Sequence, residues 1–144
     1  MEILLDPRSE TPLYQQLRDR MIEAIAAGDL APGEQLASVR QLAVAFGINV
    51  ATVGKAYELL REEGFITTSH KSRSVVVRGP ASGPPADGFV DGWASRLTTL
   101  LAEAVAQGLP PSDIAAHTSR IVASFDQNRS DSSPDTATAK DPTT

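Results

Sequence analysis

Ser38-Val-Arg-Gln-Leu-Ala-Val-Ala-Phe-Gly-Ile-Asn-Val-Ala-Thr-Val-Gly-Lys-Ala-Tyr57 decides the fold of this chain. Ser38 is an N-cap residue, able to accept from the free amides of a helix's first turn. Val39, Leu42, Ala43 and Phe46 then fall on one helical face. Gly47 stops that helix, and Gly47-Ile48-Asn49 is a tight turn. Asn49 caps a second run near Val50, in which Val53, Ala56, Tyr57 and Leu60 form the buried stripe. Ala51, Lys55 and Glu58 are left on the far side, with Thr52 at its edge. Gly64 ends the run. Two helices joined by so short a turn make a helix-turn-helix, whose second helix can enter a DNA major groove by its N-terminal end. Spacing alone leaves plain structural packing open as a second reading.

The flanks extend this unit. Thr11-Pro12 predicts a helix start, with Thr11 as N-cap and Pro12 as the first helical residue. Leu13, Leu17, Met21 and Ile25 recur near every fourth residue, and Gly28 closes the helix. After Gly64, Phe65-Ile-Thr-Thr68 and Ser74-Val-Val-Val77 have strand character. The polar, basic Ser69-His-Lys-Ser-Arg73 lies between them, which predicts a β-hairpin with an irregular tip, a wing. Residues 1–79 are thus expected to form an N-terminal winged helix-turn-helix unit. Residues 80–88 are a Pro/Gly linker by composition. Residues 89–126 predict two more helices, broken at Gly108-Leu-Pro-Pro-Ser-Asp113. Residues 127–144 are almost free of apolar side chains and are expected to be a disordered tail. The fold class is mainly α with a small β-hairpin.

Charge follows the same division. The 144 residues carry a net charge of −5. Residues 2–34 hold seven acids and three bases, whereas residues 36–79 hold six bases and three acids. A basic segment between acidic flanks suits contact with a polyanion better than the total suggests. Other classes are excluded. There is no Cys, hence no disulfide, thiolate nucleophile or Cys-built zinc site. The two histidines, His70 and His117, fall in different units. No phosphate loop or metal spacing occurs, so neither an enzyme nor a cofactor is expected. No apolar run reaches the ~20 residues of a membrane span. No signal peptide is recognisable, and the expectation is a cytoplasmic protein.

Residues 12–78 resemble the N-terminal domain of the GntR family of bacterial transcription regulators. The resemblance rests on Pro12-Leu-Tyr-Gln-Gln-Leu17, Gly28-Asp-Leu-Ala-Pro-Gly-Glu-Gln-Leu36, Ser38-Val-Arg-Gln-Leu-Ala43, Gly47-Ile-Asn-Val-Ala-Thr-Val53, Ala56-Tyr57 and Glu63-Gly-Phe-Ile66. It covers about half the chain. The stretch Glu103-Ala-Val-Ala-Gln-Gly-Leu-Pro-Pro-Ser-Asp113 is similar to the short YtrA-like subfamily, whose members use a helical pair to dimerise. The resemblance implies a homodimeric repressor on a pseudo-palindromic operator of double-stranded DNA. It also implies control of neighbouring transporter or membrane-protein genes, in its own operon.

Physics argues for dimerisation independently. Two helices of roughly 15–20 residues cannot enclose a core alone. Trp93, Leu97, Leu100, Leu101, Ile121 and Phe125 need another surface, and the linker composition argues against packing back on the first unit. A second copy is the economical partner.

The DNA-contact candidates follow from both lines. By resemblance, Arg40 contacts phosphate or a base edge, and Ser38 precedes it as cap or contact. Asn49, Val50, Ala51, Thr52 and Lys55 occupy the groove-entering end of the second helix. Val50 and Ala51 stand where hydrogen-bonded readout is impossible and a thymine methyl group can be touched. His70, Lys71 and Arg73 supply the wing. Several positions depart from the family pattern, among them Ala37, which stands for the usual Pro before Ser38. Val50 and Gly54 stand where many members carry Arg, and Ser72-Arg73-Ser74 replaces a common Gly-x-Gly. These departures motivate an alternative, a winged-helix protein-interaction module that has lost specific DNA binding. A small-molecule effector is left open. The helical pair is too small for a pocket of ~300–1,000 Å³ within one subunit, which leaves the dimer interface or no effector at all.

Overall fold

The computed structural model describes residues 3–69 and 71–131. In chain order the elements are α1 (Leu13–Ala27), α2 (Val39–Phe46), α3 (Val50–Glu62), β1 (Ile66–Thr68), β2 (Ser74–Val76), α4 (Phe89–Ala106) and α5 (Pro111–Asp131). One core holds the first five together. Leu17, Met21 and Ile25 of α1 meet Ala43 of α2 and Val53, Ala56, Tyr57 and Leu60 of α3, and Ile66 and Val76 close it from the hairpin. The hairpin is antiparallel, with Ile66 opposite Val76 and Thr68 opposite Ser74. Ile66 and Val76 turn inward; alternation puts Thr67 on the outer face, and Thr68 is exposed as well, towards the hairpin tip. A third short segment joins β2. The Leu36 amide donates to Ser74 O at 2.8 Å and the Val76 amide to Glu34 O at 3.0 Å, which bridges Gln35 to Val75.

Local chemistry explains the helix ends. Ser38 Oγ accepts from the Gln41 amide while Gln41 Oε1 accepts from the Ser38 amide, a complete capping box. Gly47 then takes φ 64°, left-handed backbone that any Cβ would strain. Asn49 Oδ1 accepts from the Ala51 amide at 2.8 Å, so α3 starts where its cap predicts. The start of α1 differs from the Thr11 reading by one residue. Pro12 itself is the N-cap and no side chain caps the helix. The Gln16 side chain instead ties the preceding loop to the helix. Its amide donates to Thr11 O and Asp6 O, and its Oε1 accepts from the Asp6 amide.

Tyr57 is 1% exposed, and its hydroxyl donates to Ala37 O at 2.6 Å. It thereby pins the loop that presents Ser38 to the core of α3. Burial pushes the phenol up to about 12 from its ordinary value of 10.0. The neutral form is favoured in the folded state. The stability this contributes is complete below pH 10.0 and is lost as pH rises towards about 12. Tyr57→Phe is expected to cost about 0.5–1.5 kcal/mol at pH 8 by losing the hydrogen bond. It should also flatten the alkaline fall in stability, as read by urea unfolding between pH 8 and 11.5.

The second unit packs less. Neither α4 nor α5 contains a buried residue. The expected tail start needs correction, because α5 continues five residues past Asp126, to Asp131. The reason is a contact that composition does not reveal. Arg129 Nη1 donates to Ala26 O in the last turn of α1 at 3.0 Å, and Arg129 also pairs with Asp126. A cation on the carbonyl end of a helix is favourable, and it offsets the cost of ordering the segment. Gly28 makes room for it, since a Cβ there would lie 3.2 Å from Arg129 Cγ. The remainder of the expected tail, 132–144, lies outside the described residues.

Candidate nucleic-acid interface

The outer face of α3 is set by its inner one. With Val53, Ala56, Tyr57 and Leu60 buried, Val50, Ala51, Lys55 and Glu58 are exposed and Thr52 is half-buried. The first turn of α3 therefore offers a small apolar tip, Val50 and Ala51, beside the Thr52 hydroxyl. Asn49 spends its Oδ1 on the cap. The Lys55 ammonium sits 3.9 Å above the centre of the Tyr14 ring. Tyr14 of α1 thus holds Lys55 upright through a cation–π contact of about 0.5–1 kcal/mol.

A groove of about 550 Å³ runs between the start of α2 and the hairpin tip. Arg40 and Ser38 line one side of it, Lys71 and Arg73 the other, and Arg61 joins them from the last turn of α3. Four bases and no carboxylate line this groove. Its shape and charge suit a sugar-phosphate backbone, to which such cations bind with release of counterions. Arg73 Nη1 also donates to Gln35 Oε1 at 3.1 Å, which ties the tip to the third segment of the sheet. Ser72 takes φ 56°, so it adopts left-handed backbone where the family pattern has a glycine. The wing therefore keeps its turn with a side chain present.

Arg61 is the residue that sequence reasoning misses. It lies on α3 far from the groove-entering end, and only the fold of the hairpin brings it to Arg40. Its membership of the basic 36–79 segment is the one signal that points to it. His70 lies outside the described residues. Among the described residues, no cluster of three or more His, Cys, Asp or Glu is placed to hold a metal.

Gly54 faces open space, with nothing in the chain within 4 Å of a Cβ placed there. Gly54→Ala is expected to stabilise the chain by about 1 kcal/mol through helix propensity, raising Tm by roughly 4 °C in thermal unfolding. If DNA approaches the α3 backbone here, the same variant binds DNA less well although it is more stable. If it does not, affinity is unchanged.

The six dimerisation candidates fall into two groups. Trp93, Leu100 and Ile121 are exposed, while Leu97, Leu101 and Phe125 are half-buried. Phe125 shares a depression with Arg20, Ala24 and Ala27 of α1. That contact within one chain is contrary to the expectation from the linker. Of the twelve large hydrophobic side chains exposed among the described residues, eight lie between Phe89 and Val122. No described helix is long and apolar enough to cross a membrane.

Residues 13–76 match the family of bacterial regulatory proteins described as gntR. The chain is 47% identical over 66 residues to the HTH-type transcriptional repressor YtrA of Bacillus subtilis (strain 168), a match covering 46% of this chain and 51% of that protein. The chain thus spans about half the length of that curated relative. Among solved structures it is similar to YtrA from Sulfolobus acidocaldarius, a GntR-family transcription factor. The identity is 39%, the TM-score 0.56, and the match covers 72% of this chain and 97% of that one. A transcriptional antiterminator from Listeria monocytogenes EGD-e shares the fold, with TM-score 0.77 at 21% identity over 85% of this chain and 93% of that one.

Proposed function

Because this chain belongs to the GntR family of bacterial regulatory proteins, we propose that it is a sequence-specific repressor of transcription, acting as a homodimer on a pseudo-palindromic operator. Its relatives are regulators of transcription rather than enzymes. The observation that carries the proposal is the acid-free groove of Arg40, Arg61, Lys71 and Arg73, formed by the start of α2, the last turn of α3 and the hairpin tip. In this reading residues 1–79 are the reading head and 80–88 the linker. The helical pair that starts at residue 89 is the dimerisation unit.

Each part has a role. Arg40, with Ser38 as cap, meets the backbone or a base edge at the groove margin. Val50, Ala51 and Thr52 enter the major groove, where the apolar pair reads thymine methyl groups and Thr52 reads a base or phosphate. Asn49 holds that end of α3 in place. Lys55, Lys71 and Arg73 neutralise phosphates, and Arg61 joins them. His70 belongs to the same wing by sequence. Two heads held by a symmetric dimer then match two half-sites about one helical turn apart. The B. subtilis relative is named a repressor, which supports that sign of regulation here. The regulated genes are proposed to be its own operon, with transporter or membrane-protein genes, and the protein to act in the cytoplasm.

The test is footprinting of the full chain on DNA from upstream of its own gene. The proposal expects a protected site with two-fold related halves and two chains per duplex. Protection that does not discriminate this DNA from scrambled sequence contradicts it.

A further inference from the structure

A recess of about 640 Å³, sharing no lining residue with the basic groove, lies where the winged-helix unit meets the linker and the start of α4. Its walls are apolar: Ile22 of α1, Phe65 before β1, Pro85 and Ala86 of the linker, and Phe89 and Trp93 of α4. Phe89 and Trp93 are 46% and 47% exposed, so two aromatic rings stand half bare over it. Three guanidinium groups, Arg18, Arg78 and Arg96, share the recess with a single carboxylate, Glu63.

The three cations are not equivalent. Arg18 is committed to Glu63 and Asp19 through hydrogen-bonded ion pairs. Arg78 Nη2 donates to Gly83 O at 3.0 Å and also to Pro84 O, which folds the linker over the end of the hairpin. Arg96 has no hydrogen-bond or ion-pair partner among the described residues. Spacing of four and three residues puts Phe89, Trp93 and Arg96 along one face of α4. Two bare rings and an unpartnered guanidinium therefore converge on one cavity. Its volume falls within the ~300–1,000 Å³ of small-molecule sites.

We propose that this recess binds a small amphipathic organic anion, its apolar body against Phe65, Phe89 and Trp93 and its acid group on Arg96. The site lies within one chain, between the two units, which the size of the helical pair alone did not suggest. A ligand there touches the linker and α4 together with Ile22 and Phe65 of the reading head, so it couples occupancy to the angle between reading head and helical pair. That consequence rests on the regulator reading. The binding itself does not, and it is read without DNA.

The probe is 8-anilinonaphthalene-1-sulfonate, an aromatic sulfonate, titrated into the full chain. Trp93 is the chain's single tryptophan, so energy transfer from it counts probe bound near α4, and the Arg96 variant then assigns that probe to the recess. The expected result is saturable transfer at one probe per chain. Arg96→Gln, a surface change, should weaken the sulfonate at least tenfold while altering affinity for the neutral N-phenyl-1-naphthylamine less than twofold. Three results overturn the proposal. One is the absence of saturable transfer. Another is equal behaviour of the charged and neutral probes in Arg96→Gln, which would mark a mere apolar patch. The last is sulfonate affinity that falls as rising protein concentration drives dimerisation, which would make a second copy the occupant.

Discussion

Placing a carboxylate at both Leu100 and Ile121 should convert the protein to a monomer and lower its affinity for a two-half-site operator by about 10²–10⁴-fold, the avidity that joining two binding events supplies. Leu100 is 62% exposed and Ile121 is 56% exposed in the single chain, so neither Leu100→Glu nor Ile121→Glu disturbs a packed interior. Both side chains belong to the helical pair, which buries none of its residues within one chain. If a second copy covers them, the substitution forces a charge out of water without a partner, which costs several kcal/mol per buried charge. Sedimentation at micromolar concentration reads the oligomeric state, and titration of a full operator against a half-site reads the consequence. Half-site affinity should be unchanged. A double variant that remains dimeric would place the interface elsewhere.

Arg40→Ala should lower operator affinity by about 1–3 kcal/mol, roughly 5- to 150-fold, since bidentate contacts by arginine are worth about that much. Arg40 lies within the Ser38–Gln41 capping box and opens onto the groove that Arg61, Lys71 and Arg73 also line. The companion variants discriminate among roles. Arg61→Ala, Lys71→Ala and Arg73→Ala, each a phosphate contact in this account, should each reduce the salt dependence by about one unit of the log–log slope and weaken all sequences alike. Arg40→Ala should also narrow the gap between operator and scrambled DNA if it reaches a base edge. The comparison with Arg61→Ala carries the most information, because nothing local in the sequence assigns Arg61 to the interface.

That contrast shows what the sequence makes legible. Features decided within a few residues can be read directly. Ser38 with Gln41 starts α2, Asn49 starts α3, and the four apolar positions of α3 fix which side Ala51 and Lys55 present. Features decided between distant residues cannot. Gln35 bridges to Val75, Lys55 rests on Tyr14, and Arg61 meets the wing only because the hairpin folds back over α3. The same limit applies at the chain's end. Residues 127–131 lack the apolar side chains that offset ordering entropy, so composition reads them as a tail. One long-range bond from Arg129 to Ala26 O accompanies their helical structure instead. The start of α1 misleads for a related reason. Thr11 has the chemistry of a cap, but the helix starts one residue later, with Pro12 at the cap position and the Thr11 carbonyl bound by Gln16.

The central claim is that the basic face of an acidic protein binds a particular DNA as a dimer. The most direct measurement is the affinity of the full chain for DNA from upstream of its own gene, against scrambled DNA, from 50 to 200 mM salt. A dimer making roughly 6–10 phosphate contacts should lose about 10³–10⁵ in affinity over that range and keep its preference for the upstream DNA. No binding to either DNA at 50 mM salt would contradict the account and leave the protein-interaction module in its place.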